Sequence, residues 1–82
     1  MTVQVLFFGA TAEATGKRAF EFSLVENVDA DEAFGAILKT FPDLRQKFKN
    51  SLLFAVNQEY CGGDKIIKDG DELAVFTAVS GG

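Results

Sequence analysis

The sequence contains no histidine and no tryptophan, and only one cysteine and one proline. Without histidine it lacks the side chain most often used as a general base near neutral pH and as a metal ligand. A lone cysteine excludes a disulfide framework, a four-thiolate iron–sulfur site and a cysteine-rich zinc site. Positive charge is also scarce. Eight basic against twelve acidic residues give a formal charge of −4, which argues against a nucleic-acid groove or an anionic membrane surface and for a basic partner. No apolar run approaches the roughly 20 residues needed to cross a bilayer, and Met1-Thr2-Val3-Gln4 has no charged region ahead of its apolar stretch. Both features point to a soluble, cytoplasmic protein. What is present is 48% hydrophobic, with nine phenylalanines in 82 residues. A chain this short buries only about 60 to 65% of its unfolded surface, so these side chains must converge on one core. Residues 1–82 are therefore expected to form a single domain, with 80–82 as a flexible tail.

Residues 2–8 are β-branched and aromatic and stop at Gly9, as a strand does. Parity puts Val3, Val5 and Phe7 on one face and Gln4, Leu6 and Phe8 on the other. Gly9 to Lys17 reads as a connection, helix-tolerant at Ala12-Glu13-Ala14 and closed by Gly16. Residues 18–24 alternate cleanly, with Phe20, Phe22 and Leu24 against Glu21 and Ser23, the pattern of a half-exposed edge strand. At Val28 the period changes. Asp29 and Glu32 form a capping box for a helix over 30–41, whose Ala33, Phe34, Ile37, Leu38 and Phe41 make one apolar stripe. Asp29, Asp31 and Glu32 are thus better explained as capping than as metal ligands, and no metal site is expected. Pro42 ends the helix and starts a short second turn, in which Leu44 and Phe48 share a face. Residues 51–58 form a third strand, with Leu52, Phe54 and Val56 the bulkier set. Lys65-Ile66-Ile67 is at most a short strand, Lys68-Asp69-Gly70-Asp71 is a turn, and 72–79 is a strand apolar on both parities and so central. The fold class is α+β: a mixed sheet, with the first and last strands adjacent and parallel and one main helix across one face.

If Val3, Val5, Phe7, Leu73 and Val75 face that helix, then Leu6, Phe8, Ala74 and Phe76 form a contiguous apolar patch on the open face, rimmed by Tyr60. Such clustering on neighbouring strands marks a protein interface. Cys61, beside a Gly-Gly turn, reads as packing or chance rather than as a sulfur relay.

Three segments, Val56-Asn57-Gln58-Glu59, Asp69-Gly70-Asp71-Glu72 and Val79-Ser80-Gly81-Gly82, in this order and with Val3-Gln4-Val5-Leu6-Phe7-Phe8 ahead of them, resemble the ubiquitin-like sulfur carriers, most closely the MoaD family. The resemblance covers nearly the whole chain. It departs at Thr77-Ala78, where the family usually has two prolines. It implies a β-grasp fold and a carrier of no independent catalytic activity, the small subunit of a heterotetrameric molybdopterin synthase. In that family the carboxylate of the last glycine, here Gly82, is adenylated, converted to a thiocarboxylate and used to deliver sulfur to cyclic pyranopterin monophosphate, forming the dithiolene of the molybdenum cofactor. Val79, Ser80 and Gly81 would thread into a partner's site, where glycines without Cβ atoms allow close backbone approach. The partners implied are a MoaE-like large subunit, a MoeB-like adenylyltransferase of the ubiquitin-activating type and a sulfur donor protein. The first two would compete for the patch of Leu6, Phe8, Tyr60, Ala74 and Phe76. No cofactor is expected on the chain itself, ATP being used by the activating enzyme. The alternatives are a sibling carrier for thiazole synthesis or tRNA thiolation, and a ubiquitin-like modifier or adaptor without sulfur transfer.

Overall fold

Alternation in the first strand decides the architecture. In the computed structural model, which describes residues 1–48 and 51–78, Val3, Val5 and Phe7 of β1 (Thr2–Phe7) are buried while Thr2 and Gln4 are exposed. β1 pairs antiparallel with β2 (Ala19–Ser23) and parallel with β4 (Glu72–Thr77), and β4 pairs antiparallel with β3 (Leu52–Val56). The resulting mixed sheet runs β2-β1-β4-β3. The two strands that are apolar on both parities are central, and the cleanly alternating β2 is an edge, as its sequence requires.

Among the described residues three helices accompany the sheet: α1 (Ala10–Thr15), α2 (Ala30–Thr40) and α3 (Pro42–Phe48). The start of α2 is fully capped. Asp29 accepts the Glu32 amide at 2.8 Å while the Glu32 carboxylate accepts the Asp29 amide at 3.1 Å. The next two orphan amides, of Ala30 and Asp31, donate to the Lys65 and Gly63 carbonyls at 2.8 and 3.0 Å. Ala33, Phe34 and Ile37 of α2 and Leu44 of α3 then close over Val3, Val5, Phe7, Leu73 and Val75 to form the core. An aromatic corner sits at the β2 side, where the Phe7 and Phe20 rings each lie 5.3 Å from Phe41.

One reading is corrected and another is narrowed. The segment from Gly9 to Lys17 is a helix over much of its length rather than a connection, entered through Gly9 at φ 53° and left through Gly16 in the left-handed region at φ 73°. No apolar stripe announces it, because its one buried residue is the polar Thr11. Lys65-Ile66-Ile67 contributes a single bridge, Asp29 with Ile66, and no strand. No helix among the described residues is long and apolar enough to cross a membrane.

Candidate functional site

The open face of the sheet is concave because its floor is made of alanines. Ala74 of β4 stands between Leu6 of β1 and Ala55 of β3 in the register. Both alanines are nearly buried, at 6 and 7% exposure. Larger side chains form the walls. Phe8 is 52% exposed at one side, and Tyr60, 71% exposed, lies with its ring 6.2 Å from that of Phe76. Leu6, Phe8, Tyr60, Ala74 and Phe76 therefore line one groove of about 310 Å³, joined by Ala55, Gln58 and Glu72. Ala55 and Gln58 were not legible as site residues: an alanine in an apolar strand carries no signal of its own, and Gln58 enters through a turn. Ala74 forms floor rather than exposed surface.

That turn is built by the residues that carried the resemblance. Val56 and Glu59 exchange two backbone hydrogen bonds, at 2.9 and 3.1 Å, across Asn57 and Gln58, which take φ of 51° and 69°. Positive φ at both central positions is the tight-hairpin conformation that asparagine tolerates better than most residues. Asn57 also clamps the start of β4. Its amide group donates to Asp71 Oδ1 at 3.0 Å and accepts the Glu72 amide at 2.9 Å. Asp71 in turn accepts the Lys68 amide at 2.8 Å through its second oxygen, and Asp69 accepts the Thr2 amide at 2.8 Å. The Asn-Gln-Glu and Asp-Gly-Asp motifs are thus one hydrogen-bonded unit that sets Tyr60 beside Phe76.

At the other end of the groove, Phe8 and Phe76 also border a second depression with Gly9, Ala10 and Thr77. This depression lies where β4 ends. The tail residues Val79, Ser80, Gly81 and Gly82 lie outside the described residues. Lys17 and Arg18, with Glu13, flank the far side of Phe8. Cys61 neighbours Tyr60 in sequence but turns to the helix side, where it is exposed beside Phe34, Phe54 and Arg45; of the two readings of this residue, packing and chance, its exposure rules out packing. Among the described residues no group of acidic or cysteine side chains is arranged to hold a metal ion. The groove offers apolar area and one carboxylate, Glu72. That composition suits it to holding another protein.

Comparison with known proteins agrees along the whole chain. The ThiS family model matches residues 5–82. The molybdopterin synthase sulfur carrier subunit of Homo sapiens is 37% identical over 83 residues, covering 98% of this chain and 93% of the relative. SAMP1 from Haloferax volcanii superposes with a TM-score of 0.86 over the whole of both chains, at 24% identity. A chain in the complex of subunits 1 and 2 of the molybdopterin-converting factor from Helicobacter pylori superposes with a TM-score of 0.71, at 25% identity and full coverage of both chains.

Proposed function

The chain belongs to the ThiS family, with the ubiquitin-like β-grasp fold, and from that premise we propose that it is the sulfur-carrier subunit of a molybdopterin synthase. The observation that carries this reading is full-length kinship with a subunit of that name. The groove supports it by supplying a surface for a large subunit, and the similar Helicobacter pylori chain belongs to a complex of subunits 1 and 2 of the molybdopterin-converting factor.

The chemistry resides at Gly82. A C-terminal carboxylate is ionised at neutral pH and is a poor electrophile. A MoeB-like adenylyltransferase joins it to AMP with release of pyrophosphate from ATP, and a sulfur donor protein then displaces AMP to leave a thiocarboxylate. Its polarizable, anionic sulfur is the nucleophile toward cyclic pyranopterin monophosphate in the large subunit's site. Acid–base and charge-stabilising groups come from the partners. Phe8, Phe76, Tyr60, Leu6 and Ala74 dock the carrier, Val79 to Gly81 thread the tail, and the cytoplasm is the compartment where these partners would meet it.

The test is the length of the tail. Deleting Gly82, or adding one residue after it, is expected to abolish sulfur transfer while the melting temperature stays unchanged, because the last residues of a domain as a rule contribute little to its stability. One residue of extended chain spans roughly 3.3 Å, whereas reacting atoms must come within about 3 to 3.5 Å. Thiocarboxylated protein is mixed with the large subunit and the cyclic precursor, and dithiolene product is followed. Full activity of the lengthened chain overturns the assignment of chemistry to Gly82. Sulfur delivered only to a thiazole or a tRNA transfers the reading to a sibling carrier.

A further inference from the structure

The parallel ladder between β1 and β4 stops one rung short of where its register would carry it. The Gln4 amide donates to the Asp71 carbonyl at 2.9 Å. With Gln4 opposite Glu72 and Phe7 opposite Val75, the same rung recurs every second residue and puts the Phe8 amide across from the Val75 carbonyl. A hydroxyl occupies that rung instead. The Phe8 amide donates to Thr11 Oγ1 at 3.1 Å, and Thr11 Oγ1 lies 2.7 Å from the Val75 carbonyl oxygen. The Phe8 carbonyl is also within 2.9 Å of this hydroxyl, but it already accepts the Thr11 amide at 3.1 Å. Val75, by contrast, has its carbonyl turned toward β1, since the bonded positions toward β3 fall on Glu72, as the Asn57 amide shows at 2.8 Å, and on alternate residues after it. A hydroxyl has one proton to give and lone pairs to receive. The single proton therefore goes to Val75.

Thr11 is completely buried, the one buried polar side chain among the described residues. Extending its proposed role as a docked sulfur carrier, we infer that Thr11 is a positioning residue for docking. Its hydroxyl, wedged between β1 and β4, replaces one backbone bond with a relay of two and pries the strands apart at Phe8. Continued pairing would lay the Phe8 ring beside Phe76 in the sheet. The wedge, with the turn at Gly9 (φ 53°), leaves Phe8 standing as a ridge, 52% exposed, between the groove and the depression at the end of β4. The same hydroxyl holds the Val75 carbonyl, two residues before β4 ends at Thr77. One buried group thus ties the docking ridge to the strand that leads into the tail.

The experiment compares Thr11→Val, which keeps the shape and removes the relay, with Thr11→Ser, which keeps the hydroxyl. Ile37→Val, on the buried face of α2, controls for lost stability alone. Affinity for the large subunit and single-turnover sulfur transfer at saturating large subunit are measured for each thiocarboxylated chain. Thr11→Val is expected to bind at least roughly tenfold more weakly, while Thr11→Ser and Ile37→Val stay within about threefold of wild type. The saturating rate is expected to remain within about threefold throughout, because the wedge acts on docking rather than on the reacting atoms. Equal affinity for Thr11→Val, or equal losses for Thr11→Ser and Thr11→Val, overturns the inference. Nuclear magnetic resonance of the wild-type chain alone decides the wedge even if Thr11→Val does not fold. A slowly exchanging Thr11 hydroxyl proton close to the Phe8 amide is expected; direct hydrogen-bond coupling from the Phe8 amide to the Val75 carbonyl sinks it. Failure of wild-type protein to bind the large subunit would instead remove the sulfur-carrier reading, which separates the two.

Discussion

Both faces of the central strands carry large apolar side chains, and their fates are opposite. Val3, Val5, Phe7, Leu73 and Val75 point toward the helices and are at most 2% exposed. Leu6 and Phe76 alternate with them yet remain only half-buried, and Phe8 more than half open. Burial of the first set stabilises the fold at about 25 cal/mol for each Å² of apolar surface removed from water. The second set contributes little of that and leaves an apolar groove in solvent. The contrast teaches that folding uses one face of this sheet, and that the proposed docking role would account for the apolar surplus on the other.

This contrast can be broken by substitutions on either side. The largest effect is expected from Leu73→Ala on the helix side, fully buried in the wild type. It should cost about 2 to 5 kcal/mol in urea denaturation through lost burial and a residual cavity, with affinity of the folded protein for its partner unchanged. On the groove side the order reverses. Phe8→Asp should leave the melting temperature near that of wild type but weaken binding to the large subunit by at least ~2 kcal/mol, as expected for an exposed aromatic anchor. Unchanged calorimetric affinity, or simple unfolding, would show that the open face is not the docking face. The smallest effect belongs to neither face. Asp29→Ala removes half of the capping box of α2 and should lower stability by ~1 kcal/mol without altering affinity or transfer, which thermal melts and calorimetry would check together.

The groove was only partly legible in the sequence. Leu6, Phe8, Ala74 and Phe76 could be assigned to one face because a strand has a period of two, and β1 and β4 are both long enough to show it. Ala55 could not, since its position opposite Ala74 depends on the register of β3. Helix α1 could not either. It is short, begins at a glycine with no side-chain cap and buries a threonine, so neither periodicity nor capping marks it, and isolated segments of such length do not hold helical structure on their own. It is held by tertiary contacts, the Thr11 hydroxyl against β4 and Ala12 and Ala14 packed against the core.

The sequence by itself determined the alternating strands, the capped helix at Asp29, the helix stop at Pro42 and the apolar excess on two central strands. These rest on local physics: side-chain period, capping and the geometry of proline. Tertiary structure decided the rest. It joined Asn57 to Asp71 across 14 residues of chain, set two alanines side by side as a floor, and placed the Thr11 hydroxyl 2.7 Å from Val75, 64 positions away. Such contacts depend on register and on which strands become neighbours, and those are settled only when the whole core closes at once.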